Sequence, residues 1–533
     1  WPIDIKKGET QEFSYFFDAP DISPELYKLG PLSLEPTVAG QTWWEARRWQ
    51  IAADAVLNDG SVLVYGDTAD DDNLNQRVLT STSTFAAEGT SVDTGTGSDI
   101  KHVVIKAAPT RNEFVSGHLD YNGVLSFVRA TSTTWENLFF VASTTPTQVC
   151  NATLGSCDQT FDLAYEQLSG EALMVYGKAD NDGIIYYRTW DGNATSTENS
   201  FTFNNGSSVN TNWVRLVSRG ARLTDQRSDE MLFLVNDANG DLFAAVWDGS
   251  QFIASTTITT SLSTANGRPF DGAWETNSAK AVVVFPSSTF GVGTDLFKYK
   301  RFIGGAWDAT ATNVGSFGST SGDVGLWVHM DADPTSDRIA AGFTYTADES
   351  LTLNESEGIW KVDGSTEGWT ISSVTSSLES RAAYGQVQAA FERFGSGNST
   401  SSALFTYNVA STADTADYRT WISGTGFGSG TDIPGGWTDD GNHRKLIPSP
   451  NNDEMMWVGV DSDNDLRTQR WDGTNWQAAP SGEHNTAVGT STEGDTNPME
   501  NNAFDFAYKP YSPWSLNWRW YNGTSTADTP PDA

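Results

Sequence analysis

A short phrase recurs along this chain and constrains its fold more than any other feature. Asp241–Ile253, DLFAAVWDGSQFI, reads as a strand, a tight Asp-Gly turn and the start of a second strand. Closely similar phrases occur at Ile184–Gly192 (IIYYRTWDG), Asp465–Trp476 (DLRTQRWDGTNW) and Leu516–Gly523 (LNWRWYNG). Looser versions occur at Gly358–Gly364, Asp295–Gly304, Asp417–Gly424, Gly123–Arg129 and Asn73–Leu79. Asp-Gly and Asn-Gly between apolar runs are the strongest short-range hairpin signal. The nine occurrences are spaced at roughly 50 to 60 residues, a period that belongs to repeat architectures.

Each unit reads as four short strands. A mixed apolar strand comes first, as at Trp49–Val56, Phe161–Tyr165 or Phe270–Trp274. A strongly apolar second strand follows, as at Val62–Tyr65, Leu173–Tyr176 or Ala281–Phe285. The hairpin phrase is the third, and a variable strand such as Phe252–Ile258 closes the unit. The expectation is an all-β chain: a large β-propeller of four-stranded antiparallel blades over residues 41–533, with eight to nine repeats. Because nine exceeds the roughly four to eight blades usual for such rings, two smaller propellers are the alternative. The ninth unit looks incomplete: Phe504–Tyr508 (FDFAY) matches the first strand at Phe161–Tyr165 (FDLAY), but at least one strand is missing before the chain ends in ADTPPDA.

Residues 1–40 are different and read as an extended N-terminal arm. Glu12–Phe17 alternates, with Phe13, Tyr15 and Phe17 on one face, which predicts a strand near 12–17. Pro20, Pro24, Pro31 and Pro36 punctuate the remainder of the arm. An unfinished blade leaves an unpaired edge, and the aromatic strand of the arm is the spare one that could cover it, in the same molecule or in a second copy.

The bulk properties exclude several classes. A net charge of −36 excludes a nucleic-acid partner, which needs clustered Lys and Arg. No apolar run approaches the roughly 20 residues of a membrane-spanning helix. Cys150 and Cys157 are the only cysteines and are read as a short disulfide, with free thiols as the alternative. The chain begins at Trp1 and is read as a mature secreted, extracellular chain. Asn151, Asn193, Asn205, Asn354, Asn398 and Asn522 head Asn-x-Ser/Thr triplets and are candidate glycosylation sites.

Candidate chemistry is sparse. Acidic loops containing Asp180 and Asp182, and Asp461, Asp463 and Asp465, resemble the first half of calcium loops, so Ca²⁺ is the one cofactor considered and no other is expected. Calcium takes roughly six to eight oxygens, usually including a later bidentate carboxylate, and the same residues also serve as turn formers. The five histidines show no metal-binding spacing. Neither a Gly-x-Ser-x-Gly elbow nor a Ser-x-Asp-x-Gly-x-x-Trp turn occurs, so no residue argues for an enzyme.

The repeats containing RTWDG and RWDGTNW resemble those of secreted bacterial and fungal propellers, including fucose-binding lectins, and of bacterial WDG-repeat surface proteins. The resemblance spans residues 43 to 524. It implies a propeller, and glycan binding as a function. Arg188, Arg301, Arg419, Arg470 and Arg519 recur before the turn, but no Arg–Glu–Trp pocket falls in register, and a strand arginine is also an ordinary cross-strand partner. Taken together, the sequence is read as a structural or adhesive subunit that self-assembles into a filament or surface layer through Phe13, Tyr15 and Phe17. The alternative is a lectin for neutral glycans, and a glycoside-active enzyme comes third.

Overall fold

The computed structural model describes the strands and most turns between Gly60 and Lys509, and beyond that span the strand segments Glu25–Leu29, Leu32–Leu34, Trp43–Glu45, Trp49–Ala53 and Arg519–Trp520. The other residues, including 1–24, 142–158, 179–182, 394–400, 489–502 and 521–533, lie outside the described set.

Two compact units share the chain: Asn58–Tyr511, and Trp1–Leu57 with Ser512–Ala533. The larger is an eight-bladed β-propeller, and no helix occurs among the described residues. Each blade is an antiparallel sheet of four strand positions, the outermost split into two short pieces in three of the blades. In the smaller unit, Glu25–Leu29 and Arg519–Trp520 both pair with Trp49–Ala53, and Leu32–Leu34 pairs with Trp43–Glu45.

The ring closes on itself. Phe504–Ala507 pairs with Val62–Tyr65, so the inner strand of the first blade comes from the far end of the chain. The expectation of a ninth, incomplete unit is corrected here. Phe504–Ala507 fills the place expected for Trp49–Val56, and the last hairpin phrase contributes Arg519–Trp520 to the smaller unit. The unfinished edge is therefore completed within the molecule. Strand counting alone could not show this, because a ring has no first blade in space.

The eight hydrophobic clusters among the described residues lie between adjacent blades, the eighth and first included. This explains why the second strands read as continuous apolar runs. In Ala172–Tyr176, Met174 and Tyr176 pack toward the second blade, while Leu173 and Val175 pack toward the fourth. Period-two alternation puts apolar side chains on both faces because both faces are covered.

The hairpin phrase has a role for each residue. The Asp191 carboxylate accepts the backbone N–H groups of Asn193 and Ala194, both at 2.7 Å, and Asp472 accepts those of Thr474 and Asn475 at 2.9 and 2.7 Å. Gly192 and Gly473 then take φ of 95° and 91°, where a Cβ is disfavoured. The tryptophans reach across to the neighbouring blade.

Candidate functional site

Two sets of polar contacts, an outer and an inner ring each shown at four of the eight blade boundaries, tie neighbouring blades together, and separating them from the open surface locates the site. In the outer ring, a glutamate at the end of one blade's inner strand, or just before its second, accepts the indole N–H of the next blade's third strand. Trp247 donates to Glu166 at 2.7 Å, Trp360 to Glu275 at 2.6 Å, Trp471 to Glu392 at 2.9 Å and Trp190 to Glu113 at 3.1 Å. A carboxylate acceptor makes each a charge-assisted bond, worth about 1.5–3 kcal/mol. Ser169, Ser278 and Ser402 donate to the second oxygens of Glu166, Glu275 and Glu392.

Four of the five recurrent arginines are also engaged by protein. Arg301 donates to Asp308 at 2.8 Å, Arg419 to Glu357 at 3.1 Å and Arg470 to Glu454 at 2.8 Å, while Arg188 lies over the Phe139 ring at 4.7 Å. Arg129, Glu113 and Trp190 do come together, with the guanidinium 5.2 Å from the indole. There too, the glutamate is occupied by Trp190, Tyr165 and Arg111.

The inner ring lines the central channel. One position of each inner strand is equivalent around the circle: Asp505, Val104, Asp162, Arg215, Asp271, His329, Gln388 and Lys445. Several of these accept a backbone N–H from the next inner strand. Asp505 takes it from Ile105 at 2.9 Å, Asp162 from Leu216 at 2.8 Å, Asp271 from Met330 at 3.0 Å and His329 Nδ1 from Ala389 at 3.3 Å. The second oxygen of each aspartate accepts the N–H of its own following residue. The phrase Phe-Asp-x-Ala-aromatic at 161–165, 270–274 and 504–508 is the sequence mark of this contact.

Charge in the ring is organised around Arg215, whose Nη1 is 3.7 Å from Asp162 and whose Nε is 3.0 Å from Asp271. Arg268 reaches Asp271 at 2.9 Å and the Val328 carbonyl at 3.0 Å. Burial pushes the Asp162 carboxyl up. Burial acts the same way on Asp271, but Arg215 and Arg268 outweigh it and hold that carboxyl well below the usual range. Burial pulls His329 down to about 3, so its Nδ1 stays an acceptor at neutral pH.

The channel holds two contiguous chambers. The narrower, about 240 Å³, is lined by the ring residues other than Asp271, together with Lys106, Gln159, Trp213, Arg268, Trp327 and Arg444. The wider, about 450 Å³, shares Lys106, Arg215, Asp331 and Asp505 with it and adds Trp274, Phe506 and Tyr508. Trp213 and Trp327 meet edge to face at 6.2 Å, with Arg268 over the Trp327 ring at 4.7 Å.

The described residues among those singled out from sequence as candidate sites do not line the channel. Phe13, Tyr15, Phe17, Cys150, Cys157, Asn151, Asn205, Asn398, Asn522, Asp180, Asp182 and Asp463 lie outside the described residues. Asn193 is exposed in the turn after Trp190, and Asn354 sits half-buried on Thr352–Trp360. Asp461 ends the strand Met455–Asp461, and Asp465 pairs with Arg467 at 3.1 Å. Among the described residues no group of three or more His, Cys, Asp or Glu side chains is placed to hold a metal ion.

No family model and no curated protein matches the chain. Among solved structures it is similar to the BP39L lectin of Burkholderia pseudomallei, with 10% identity, 71% of this chain and 98% of the lectin covered, and a TM-score of 0.43. It is also similar to the six-bladed propeller lectin of Aleuria aurantia, with 12% identity, 71% and 94% covered, and a TM-score of 0.35. A third is the α-L-arabinofuranosidase of Fusarium graminearum solved with arabinobiose, with 9% identity, 70% and 93% covered, and a TM-score of 0.36.

Proposed function

We propose that this chain is a carbohydrate-binding propeller that holds its ligand in the central channel and does no chemistry on it. The observation that carries the reading is the division of labour between the two rings. The hairpin tryptophans and their glutamates, where the sequence resemblance places a sugar pocket, are spent on latching blade to blade. The channel instead offers a concave surface with aromatic side chains beside polar groups drawn from separate blades. A sugar ring presents that pairing in reverse, with an apolar C–H face and a rim of hydroxyls.

Calorimetric titration of the intact chain with an oligosaccharide panel tests this. At least one saccharide should bind, and Trp327→Ala should abolish its heat while leaving thermal unfolding cooperative. Retention of binding in that variant would exclude the channel as the site.

Glycoside hydrolysis is a second reading, supported by one observation. Asp162 and Asp271 flank Arg215 and their carboxyls are shifted in opposite directions, the pattern of an acid and its partner base. Against it, both side chains are buried and hydrogen-bonded to backbone, which leaves neither oriented by solvent or substrate alone. Turnover of aryl glycosides that disappears in Asp162→Asn would favour this reading over simple binding.

Self-assembly through the N-terminal arm loses one of its motives, because the edge it was to cover is already paired by Phe504–Ala507.

A further inference from the structure

The lining of the narrow chamber runs against the charge of the chain. Acids outnumber Lys and Arg 68 to 32 over the whole sequence. In the chamber five cationic side chains, Lys106, Arg215, Arg268, Arg444 and Lys445, face three acids, Asp162, Asp331 and Asp505, and a fourth, Asp271, lies buried behind the lining and pairs with Arg215 and Arg268. These acids are already engaged. Asp162 accepts two backbone N–H groups and lies near Arg215, and Asp505 accepts two and pairs with Lys445 at 3.3 Å. Asp331 accepts the N–H of Phe391 at 2.8 Å and pairs with Arg393 at 3.1 Å.

What remains is a surplus of donors. The Lys106 ammonium makes no hydrogen bond or ion pair with any described residue, although it lines both chambers. The indole N–H groups of Trp213 and Trp327 find no acceptor among the described residues, and Trp213 is only 6% exposed. A buried donor without an acceptor is costly, and so is a cation in a partly desolvated site whose pull on Asp162 is shared with Arg215. An oxyanion would relieve both, since it accepts from N–H groups and carries the missing charge.

We infer that the channel ligand is an anionic saccharide, bearing a carboxylate or a sulfate ester, and that it enters by its chain end. This rests on the channel being the binding site, as proposed for this chain. Lys106, Trp213 and Trp327 are the groups that would meet the oxyanion. Chain-end recognition follows from the shape: about 240 Å³ is below the roughly 300 Å³ at which drug-sized pockets begin, room for one sugar ring. The wider chamber, with Trp274, Phe506 and Tyr508, takes the sugars behind it. The negative surface does not forbid this partner, because exposed charges are screened beyond about 8 Å at physiological ionic strength, and buried ones much less.

The test is calorimetric titration of the intact chain with three matched sets of short oligosaccharides: uronic-acid, sulfated and neutral. The methyl ester of the uronic-acid set removes charge while keeping shape. The expected result is that the uronic-acid or the sulfated set binds at least tenfold more tightly than the neutral set, and the comparison identifies the oxyanion. Lys106→Met should reduce that affinity at least tenfold without lowering the thermal midpoint, since it removes a cation that has no hydrogen-bond or ion-pair partner among the described residues. If neutral and esterified sugars bind as well as the acids, and Trp327→Ala abolishes that binding, the channel reading stands and the anionic inference is overturned. If no set binds, both fall.

Discussion

The indole of Trp247 donates to Glu166 across the boundary between the fourth and third blades, at 2.7 Å, with the tryptophan 2% exposed. Replacing Trp247 by Phe removes the donor but keeps most of the apolar volume. The expected loss is about 1.5–3 kcal/mol, because the acceptor is a carboxylate that becomes harder to satisfy. Adding Glu166→Gln should recover part of it. Urea unfolding of the single and double variants measures both values, and equal midpoints for wild type and Trp247→Phe would show the latch to be energetically idle.

Gly342 sits where the sixth blade meets the inner strand of the seventh. A Cβ there would lie 2.6 Å from the Val387 carbonyl oxygen and 2.6 Å from Val387 Cγ1. The backbone atom cannot rotate aside, so Gly342→Ala should separate the two blades and cost about 1–3 kcal/mol. Gly304, with nothing within 4 Å of its added Cβ, has no such steric conflict. A thermal melt of Gly342→Ala matching wild type would contradict the predicted clash.

Glu357 is fully buried, and burial pushes its carboxyl up to about 8, against the opposing pull of Arg419. The folded protein therefore binds a proton there that the unfolded chain releases near 4.5. Between those values the folded state holds more protons, so this group's contribution to stability is greatest below about pH 4.5 and is lost as pH rises through about 8. Glu357→Gln should flatten that part of the profile. Denaturant midpoints measured from pH 4.5 to 9 follow it, and an unchanged slope in the variant would exclude Glu357 as the cause.

His329 has the opposite sign. Burial holds its imidazole down to about 3, with Asp271 opposing and Arg268, Arg215 and Lys106 assisting. The unfolded chain protonates near 6.5, so the stability from the neutral ring is present above that value and is lost as pH falls toward 3. Protonation also ends its role as acceptor for Ala389. His329→Asn should lessen the loss on the acid side, readable as a smaller drop in Tm between pH 6.5 and 4 than in wild type.

The blade hairpins were legible because Trp, Asp and Gly each carry a local role that survives without tertiary context: the aspartate caps its own turn and the glycine takes a positive φ. The ring closure was half legible. FDFAY at 504–508 reads as an inner strand, but its partner Val62–Tyr65 lies at the other end of the chain, and no local pattern names that partner. The channel was not legible. Trp213 and Trp327 hold equivalent positions on two non-adjacent blades, two residues before Arg215 and His329, whereas the equivalent of Lys106 is uncharged or acidic on every other blade. Periodicity reveals what neighbouring units share, and here the candidate site is built from what they do not.

The place of Phe504–Ala507 also bears on how the molecule is made. Val62–Tyr65 leaves the ribosome before every other strand of the ring, yet its inner-edge partner is the last of those strands to emerge. Domains generally begin folding from their N-terminal side during synthesis. While the other seven blades are made, then, the first blade waits with one margin unpaired and exposed to other nascent chains. Its completion is a single late event, and any stall, truncation or frameshift upstream of Phe504 would release a row of blades that cannot become a circle.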